Sequence, residues 1–198
     1  MKTKHISTTA FRRPFIKVCG LTYAGSVDCA AAYGAEYVGF NFCLGSEHYV
    51  SPAHAAGMPT ANVKRVGVFN AGGAAEIRRT MAEARLHLAQ LQGNCTMGDA
   101  RVIGPHRVIR ALRLGNESSP AQLQHELDSW APYCHAYLVE TEDAGLLSAV
   151  HFPRPWILSG RVEPAALQSM LHTCHPDGVD IESRVGCADI MAAMRVVS

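Results

Sequence analysis

Short apolar runs rich in β-branched residues alternate along this chain with stretches of helical periodicity, and this alternation limits the folds open to it. It predicts βα units that build a parallel sheet. The eight predicted strands are Phe15–Cys19, Tyr37–Cys43, Arg65–Phe69, His87–Leu91, Arg107–Leu112, Ala136–Glu140, Trp156–Ser159 and Gly178–Ile181. The predicted helices are Ser26–Tyr33, Pro52–Met58, Ala74–Ala84, Thr96–Ile103, Pro120–Trp130, Glu142–Val150, Pro164–His172 and Ala188–Val196.

Eight βα repeats within 198 residues predict one closed parallel barrel. The expected class is α/β, and the expected fold is a single-domain (β/α)8 TIM barrel near the lower length limit of about 200 residues. We assign the barrel to residues 15–198 and treat residues 1–14 as a partly ordered leader. An open doubly wound sheet is the alternative. It normally carries a Gly-rich dinucleotide turn after its first strand, and the segment Cys19–Gly25 lacks that spacing.

The composition indicates a globular chain and excludes several classes of partner. The chain is 48% hydrophobic and 18% charged, so it can bury one large core. A net charge of +1 gives no electrostatic reason to expect binding to nucleic acid or to an anionic membrane. The leader lacks the continuous apolar segment of a secretory signal, and no run approaches the roughly 18 apolar residues of a membrane helix. We therefore expect neither nucleic acid nor membrane as a partner.

The seven cysteines are widely spread, with no Cys-x-x-Cys pair and no histidine at zinc-finger spacing. This pattern predicts no metal site and a reducing, cytoplasmic location. Apart from Cys19, the cysteines are expected to be small buried hydrophobic residues. These six are Cys29, Cys43, Cys95, Cys134, Cys174 and Cys187.

The segment Ile16–Thr22 carries the strongest chemical signal, because it places a thiol, a glycine and a hydroxyl at the end of the first predicted strand. Catalytic groups of α/β barrels lie at the carboxyl ends of the strands. Cys19 is therefore a candidate catalytic residue, provided that its surroundings favour the thiolate over a thiol with an ordinary pKa of roughly 8.5. The alternative is a buried and chemically inert strand cysteine.

Five segments, in the same order along the chain, resemble the phosphoribosylanthranilate isomerase family of tryptophan biosynthesis. They are Ile16–Thr22, Val38–Phe42 with Tyr49–Pro52, Val63–Phe69, Gln90–Gly93 and Gly178–Ser183. The resemblance implies a TIM barrel that catalyses an Amadori rearrangement, in which an intramolecular oxidoreductase (an aldose-ketose isomerase) converts an aminoaldose phosphate to an aminoketose phosphate. It implies a small phosphosugar as substrate and neither a metal nor a redox cofactor. We expect a monomer or a homodimer.

The same resemblance assigns two catalytic roles. Cys19 matches the cysteine that acts as general base in the family, and Glu140 stands on strand six where the family has an aspartate that acts as general acid. The glutamate adds a methylene, and a shift of about 1 Å in a catalytic group can cost roughly a hundredfold in rate. The alternative for Glu140 is a surface carboxylate. Glu142 and Asp143 are nearby substitutes that point less directly into the barrel mouth.

Several substrate-binding positions depart from the family pattern. His48 stands where an arginine of the family pairs with the anthranilate carboxylate, so a permanently charged bidentate donor is lost. The alternative for His48 is a solvated loop histidine. Gln92 and Asn94 stand where the family has histidine and aspartate, and both are polar and uncharged. Asp180 is retained on strand eight, where it can hold a ribose hydroxyl or be a buried or capping aspartate.

The two turns that bind phosphate in the family also differ here. Their glycines let backbone N–H groups approach the phosphate. In this chain Arg161 and Arg184 replace glycines, and we expect Gly160, Arg161, Ser183 and Arg184 to line the phosphate site. Alternatively, the two arginines are solvated and fill a site that no longer binds phosphate. The Gly-rich loop that covers the substrate after strand six in the family is missing.

Three functions are compatible with these residues. The first is an active phosphoribosylanthranilate isomerase with altered substrate-binding loops. The second is a catalytically weak or inactive barrel that binds a ligand or a partner protein, which the altered loops favour. The third is an isomerase for another aminosugar phosphate, because the loss of the arginine at position 48 removes the feature that selects anthranilate.

Overall fold

The computed structural model describes residues 13–60, 62–115, 117–160 and 164–182, together with Cys187, Met191 and Arg195. Eight parallel strands form a closed barrel in sequence order. The strands are β1 (Phe15–Cys19), β2 (Tyr37–Asn41), β3 (Lys64–Phe69), β4 (Leu88–Leu91), β5 (Val108–Arg113), β6 (Ala136–Glu140), β7 (Trp156–Ser159) and β8 (Gly178–Glu182). The predicted TIM barrel is confirmed, and the open doubly wound sheet is wrong because β1 pairs with β8.

Helices pack outside the barrel between successive strands. They are α1 (Ala24–Ala32), α2 (Pro52–Gly57), α3 (Ala74–Glu83), α4 (Met97–Ile103), α5 (Pro120–Trp130), α6 (Ala144–Ser148) and α7 (Pro164–Cys174), with a short 3₁₀ turn at Pro105–Arg107. The eighth predicted helix falls mostly outside the described residues, within which Met191 and Arg195 are helical. No helix in the described part of the chain is long and apolar enough to cross a bilayer.

At two of the boundaries that differ from the prediction, a side chain forms a hydrogen bond with the backbone where the regular element ends. Strand β2 ends at Asn41, since the Asn41 Oδ1 accepts the N–H of Cys43 at 2.8 Å. Helix α6 begins at Ala144 instead of Glu142, because the Asp143 carboxylate caps its first turn. In both places a polar side chain satisfies a backbone donor that would otherwise extend the regular element.

The core has two parts, separated by the strands. Side chains that alternate to the outer face of the strands pack against the helices in one large cluster, which includes Ile16, Val18 and Val38. A smaller cluster fills the barrel interior, and its buried members are Val66, Ile109, Ala111, Leu138 and Ile157. The barrel is therefore a packed core and not a pore.

A buried arginine ties two helices to the barrel at the end away from the carboxyl ends of the strands. Arg65 is 4% exposed and stacks over the Phe40 ring at 4.7 Å. It donates to the carbonyls of Ala55, Met58 and Ala84, which lie at the ends of α2 and α3. The Ala55 carbonyl also accepts the Met58 N–H. The carbonyls of Met58 and Ala84 lie at the C-caps, where an α-helix leaves acceptors without an intrahelical partner, and the guanidinium supplies one.

One disulfide corrects the expectation for the cysteines. Cys29 on α1 is bonded to Cys187, with their Cα atoms 5.9 Å apart and a sequence separation of 158. The prediction that the six cysteines other than Cys19 are small buried hydrophobic residues is wrong for this bonded pair. The other cysteines are free: Cys43, Cys95 and Cys134 are buried as expected, whereas Cys174 is partly exposed. Sequence spacing gave no sign of the bond, because closure of the barrel brings the two ends of the chain together.

Reduction of this disulfide should destabilise the barrel. It closes a loop that spans most of the chain, and native disulfides of this kind typically contribute about 2–4 kcal/mol to the free energy of unfolding. Urea denaturation with dithiothreitol should show a loss of this size, and Cys29→Ser should lose the sensitivity to reductant. Equal denaturation midpoints with and without reductant in the wild type would contradict the bond.

Candidate active site

The carboxyl ends of the strands bring together side chains that are far apart in sequence. Cys19 ends β1, Arg113 ends β5, Glu140 ends β6 and Glu182 ends β8. The register pairs Cys19 with Glu182 and Arg113 with Glu140, so each pair lies at one level on neighbouring strands. This is the end of the barrel at which α/β-barrel enzymes carry their active sites.

Backbone geometry holds the Cys19 thiol at the start of the first loop. Gly20 follows it with φ of 80°, a left-handed conformation that glycine adopts without steric cost. The Gly20 N–H points to the thiol and favours its ionised form. Further along the loop, the carbonyl of Thr22 is bound to the His54 ring at 2.9 Å. The loop after β1 is thereby fixed to helix α2.

Three charged or ionisable groups share the interior beneath the barrel mouth. The pKa of Cys19 is raised to about 11, because burial and the Asp180 charge together outweigh the lowering effect of the Lys17 charge. Before substrate binds, Cys19 is therefore a thiol at neutral pH. A function as a base requires local stabilisation of the thiolate.

Asp180 forms a buried ion pair with Lys17. The two side chains are 6% and 0% exposed, and the Lys17 Nζ lies 2.8 Å from the Asp180 Oδ1. The second oxygen, Oδ2, accepts a longer hydrogen bond of 3.5 Å from the Ser159 hydroxyl. The sequence placed Asp180 either as a ribose ligand or as a buried aspartate. In the structure Asp180 is buried, with one carboxylate oxygen bound to Lys17 and the other bound to Ser159 of β7.

Glu140 lies at the barrel mouth in an ion pair. Its Oε2 accepts a 2.9 Å hydrogen bond from the Arg113 Nε, and its side chain is 39% exposed. The two substitutes considered for it are placed differently. Asp143 caps helix α6 by accepting the Leu146 N–H, and Glu142 is exposed in the turn before that helix. Of the three carboxylates, only Glu140 belongs to a strand.

The loop after β2 folds back on its own strand and holds His48. The Asn41 amide donates to the Ser46 hydroxyl at 3.1 Å, and that hydroxyl also accepts the His48 N–H. The His48 side chain is 17% exposed, and its Nε2 lies 3.5 Å from a Glu47 carboxylate oxygen. This nitrogen has no hydrogen-bond partner within the described residues. His48 is thus a half-buried group and not a fully solvated one.

The remaining predicted binding residues are placed only in part. Gln92 is partly exposed just after β4, where its N–H donates to the Phe69 carbonyl. Asn94 is exposed in the same turn, and Gly160 is partly exposed directly after β7. Arg161, Ser183 and Arg184 lie outside the described residues, and the phosphate site at these positions stays a prediction.

Three residues of the site were not assigned a role from the sequence. Lys17 carried a detectable signal, because it is a charged residue that shares a strand face with Cys19 in an otherwise apolar run. Arg113 also had one, since it is a charged residue that directly follows the predicted strand Arg107–Leu112. Asn41 had none, because its partners lie in a loop whose fold the sequence does not specify. Within the described residues, no group of three or more His, Cys, Asp or Glu side chains could hold a metal ion.

A closed parallel barrel that carries a thiol, carboxylates and a buried ammonium at this end defines a TIM-barrel enzyme. Residues 16–186 match the model of the N-(5'-phosphoribosyl)anthranilate isomerase family. The chain belongs to this family and is an isomerase, which confirms the resemblance drawn from the sequence.

Individual relatives agree with this assignment. An N-(5'-phosphoribosyl)anthranilate isomerase from Desulfovibrio desulfuricans is 42% identical over 180 residues, covering 86% of this chain and 85% of the relative. The crystal structure of a phosphoribosyl anthranilate isomerase in complex with reduced 1-(o-carboxyphenylamino)-1-deoxyribulose 5-phosphate superposes with a TM-score of 0.80 at 25% identity, covering 93% and 98% of the two chains. The enzyme from Thermus thermophilus gives a TM-score of 0.76 at 27% identity, covering 92% and 98%.

The space around Cys19 depends on a glycine of the neighbouring strand. A Cβ added at Gly39 would lie 2.7 Å from the Cys19 Sγ and 3.2 Å from its Cα. Gly39→Ala should therefore displace the thiol and reduce kcat/KM by roughly a hundredfold if the shift reaches about 1 Å.

Gly57→Ala is the matched control, because a Cβ there meets nothing within 4 Å. It should leave turnover unchanged in the same steady-state assay. Full activity in Gly39→Ala would mean that the thiol tolerates displacement or takes no part in the reaction.

Proposed function

We propose that this chain catalyses the Amadori rearrangement of N-(5'-phosphoribosyl)anthranilate in tryptophan biosynthesis. The reaction converts an aminoaldose phosphate to the isomeric carboxyphenylamino-deoxyribulose phosphate. The observation that carries the proposal is the position of Cys19 at the carboxyl end of β1, beside the β1–β8 junction. The chain's membership in the isomerase family supports it.

The chemistry requires one acid and one base. A general acid protonates the ring oxygen as the C1–O bond breaks, and the nitrogen lone pair forms an iminium at C1. A general base then removes the proton from C2, giving an enolamine that tautomerises to the ketone. We assign the base to the Cys19 thiolate and the acid to Glu140, which lie on β1 and β6 at the same end of the barrel.

The order of strands supports a definite orientation of the substrate. Strands β7, β8, β1 and β2 are consecutive neighbours around the barrel. We assign the phosphate to the turns after β7 and β8, with Gly160, Arg161, Ser183 and Arg184, and the anthranilate to the loop after β2. Cys19 then lies between the two ends of the substrate. The reacting carbons, C1 and C2, also lie between the phosphate on C5 and the anthranilate nitrogen on C1.

Two groups complete the proposed binding of the substrate. Asp180, next to β1, accepts a hydrogen bond from a ribose hydroxyl, and Gln92 contributes a neutral donor after β4. We assign the place of the missing arginine to His48, whose buried Nε2 has no hydrogen-bond partner within the described residues and would donate to the carboxylate of anthranilate. A single imidazole donor is weaker than a bidentate guanidinium, so we expect a higher KM than an arginine would give.

The histidine at position 48 favours one alternative substrate. An aminosugar phosphate without an aromatic carboxylate does not need the arginine, and an isomerase for such a compound is the second candidate. Comparing the two substrates in one assay distinguishes these functions.

Cys19→Ser tests the proposed base. Turnover of freshly made phosphoribosylanthranilate, followed by loss of its anthranilate-type fluorescence, should fall by at least about a hundredfold, because a serine hydroxyl is a far weaker base. The substitution is nearly isosteric, so the thermal midpoint should change little. Cys174→Ser, which alters a free thiol at the end of α7, should keep full activity. Turnover by Cys19→Ser at the wild-type rate would remove Cys19 from the mechanism.

Glu140→Gln tests the proposed acid, and Glu142→Gln is its matched control. The first change should reduce kcat by roughly a hundredfold or more, because the amide cannot deliver a proton to the ring oxygen. The second should have little effect, since Glu142 is exposed and outside the strand. The reverse result would move the acid two residues along the chain.

A further inference from the structure

Lys17 is an unusual residue for the interior of this barrel. It is completely buried, and lysine is almost never fully buried unless its charge is paired. Its ammonium lies 2.8 Å from the Asp180 carboxylate, which is also buried. Most other interior side chains are apolar, such as Val66 and Leu138, and Gln90 on β4 is a further buried polar residue but carries no charge. The ion pair therefore needs an explanation beyond the filling of space.

Stability alone does not supply that explanation. Removing two charges from water is costly, and replacing a buried ion pair by apolar residues of similar volume is often neutral or stabilising. Other strands fill the same interior without such a pair, as Ile109 on β5 and Ile157 on β7 illustrate. The pair occurs on β1 and β8, and β1 also carries Cys19.

The strand geometry places Lys17 directly below the thiol. Residues two apart on a strand face the same side, so Lys17 and Cys19 both face the interior. Lys17 is the register partner of Asp180, and Cys19 is the register partner of Glu182. The Lys17 ammonium thus lies one level below the Cys19 thiol on β1. The Asp180 carboxylate lies beside this ammonium on the neighbouring strand, β8.

The charges of Lys17 and Asp180 change the pKa of the Cys19 thiol in opposite directions. Burial would lower the pKa of Lys17, but Asp180 and Cys19 outweigh it and raise the pKa, so the ammonium stays charged. The Lys17 charge lowers the pKa of Cys19, whereas the Asp180 charge raises it. Among the described residues, the other polar groups that face this space include Tyr37 on β2, Gln90 on β4, Ser159 on β7 and Glu182 on β8.

We propose that Lys17 is a positioning residue of the isomerisation, whose ammonium stabilises the Cys19 thiolate while Asp180 limits how much of that charge the thiolate experiences. This inference rests on the proposed role of Cys19 as the base. When a ribose hydroxyl donates to Asp180, the carboxylate holds the ammonium less strongly, and the ammonium then acts more fully on the sulfur. Substrate binding and activation of the base are coupled through one buried cation.

The test measures the reactivity of Cys19 directly, without turnover. Iodoacetamide alkylates the thiolate and not the thiol, so the alkylation rate of the Cys19 peptide, followed by mass spectrometry across a pH series, reports the thiolate fraction. Lys17→Met should lower this rate at pH 8 by about tenfold or more, one pKa unit being a tenfold change in thiolate. Asp180→Asn should raise it several-fold. Cys19→Ser gives the background from the other cysteines.

The opposite signs separate this proposal from a purely structural role. If the ion pair only held the strands together, breaking it from either side would loosen the site and change the alkylation rate in the same direction. Equal signs, or no change in Lys17→Met, would overturn the proposal. Lys17→Arg retains the charge and should recover most of the wild-type alkylation rate and of kcat/KM, which a loss of packing would not predict.

Folding is controlled by a double variant. Lys17→Met with Asp180→Asn removes both charges together and leaves no buried charge unpaired, so it should fold even where a single variant does not. Its Cys19 should be alkylated more slowly than in Asp180→Asn, and an equal rate would overturn the role of Lys17. The assay also keeps the two hypotheses apart. If Cys19→Ser remains active, the proposed base is wrong, whatever the alkylation rates show.

Discussion

The pairing of β1 with β8 is the constraint on which the rest of this structure depends. Five consecutive residue pairs join the first and last strands of the barrel, from Phe15 with Gly178 to Cys19 with Glu182. A parallel sheet with unpaired edges would expose backbone donors and acceptors along both outer strands. Closure removes those edges and brings together two segments that are about 160 residues apart in sequence. The same pairing creates the environment of the Cys19 thiol.

Closure also explains the distribution of polar groups inside the barrel. Most interior positions carry apolar side chains, which pack at low cost. At the β1–β8 junction the interior instead contains a lysine, an aspartate and a cysteine. The fold accepts the desolvation of two charges there, and we interpret this as a requirement of the chemistry. The disulfide between Cys29 and Cys187 joins α1 to the C-terminal part of the chain and reinforces the same closure covalently.

The site has one part held by strands and one part held by loops, and they differ in how far the sequence could predict them. Cys19, Glu140 and Asp180 belong to strands, and the predicted strand bounds placed them at or near the carboxyl ends without a structure. The family resemblance singled out Glu140 and Asp180 as site residues. The partners of these residues were not foreseen, because Arg113 meets Glu140 only through the β5–β6 register. His48 depends on a loop whose shape is set by Asn41, and no periodic pattern encodes such a contact.

The sequence by itself determined the βα alternation, the count of eight strands and the candidate thiol at the end of the first. These follow from local periodicity and from residue types, which act over a few neighbouring positions. Only the tertiary structure decided that Lys17 and Asp180 pair, that Cys29 and Cys187 are bonded and that Glu140 faces Arg113. Each of these contacts joins different segments of the chain. Their distances depend on how the barrel closes and on the register of its strands, which no local pattern specifies.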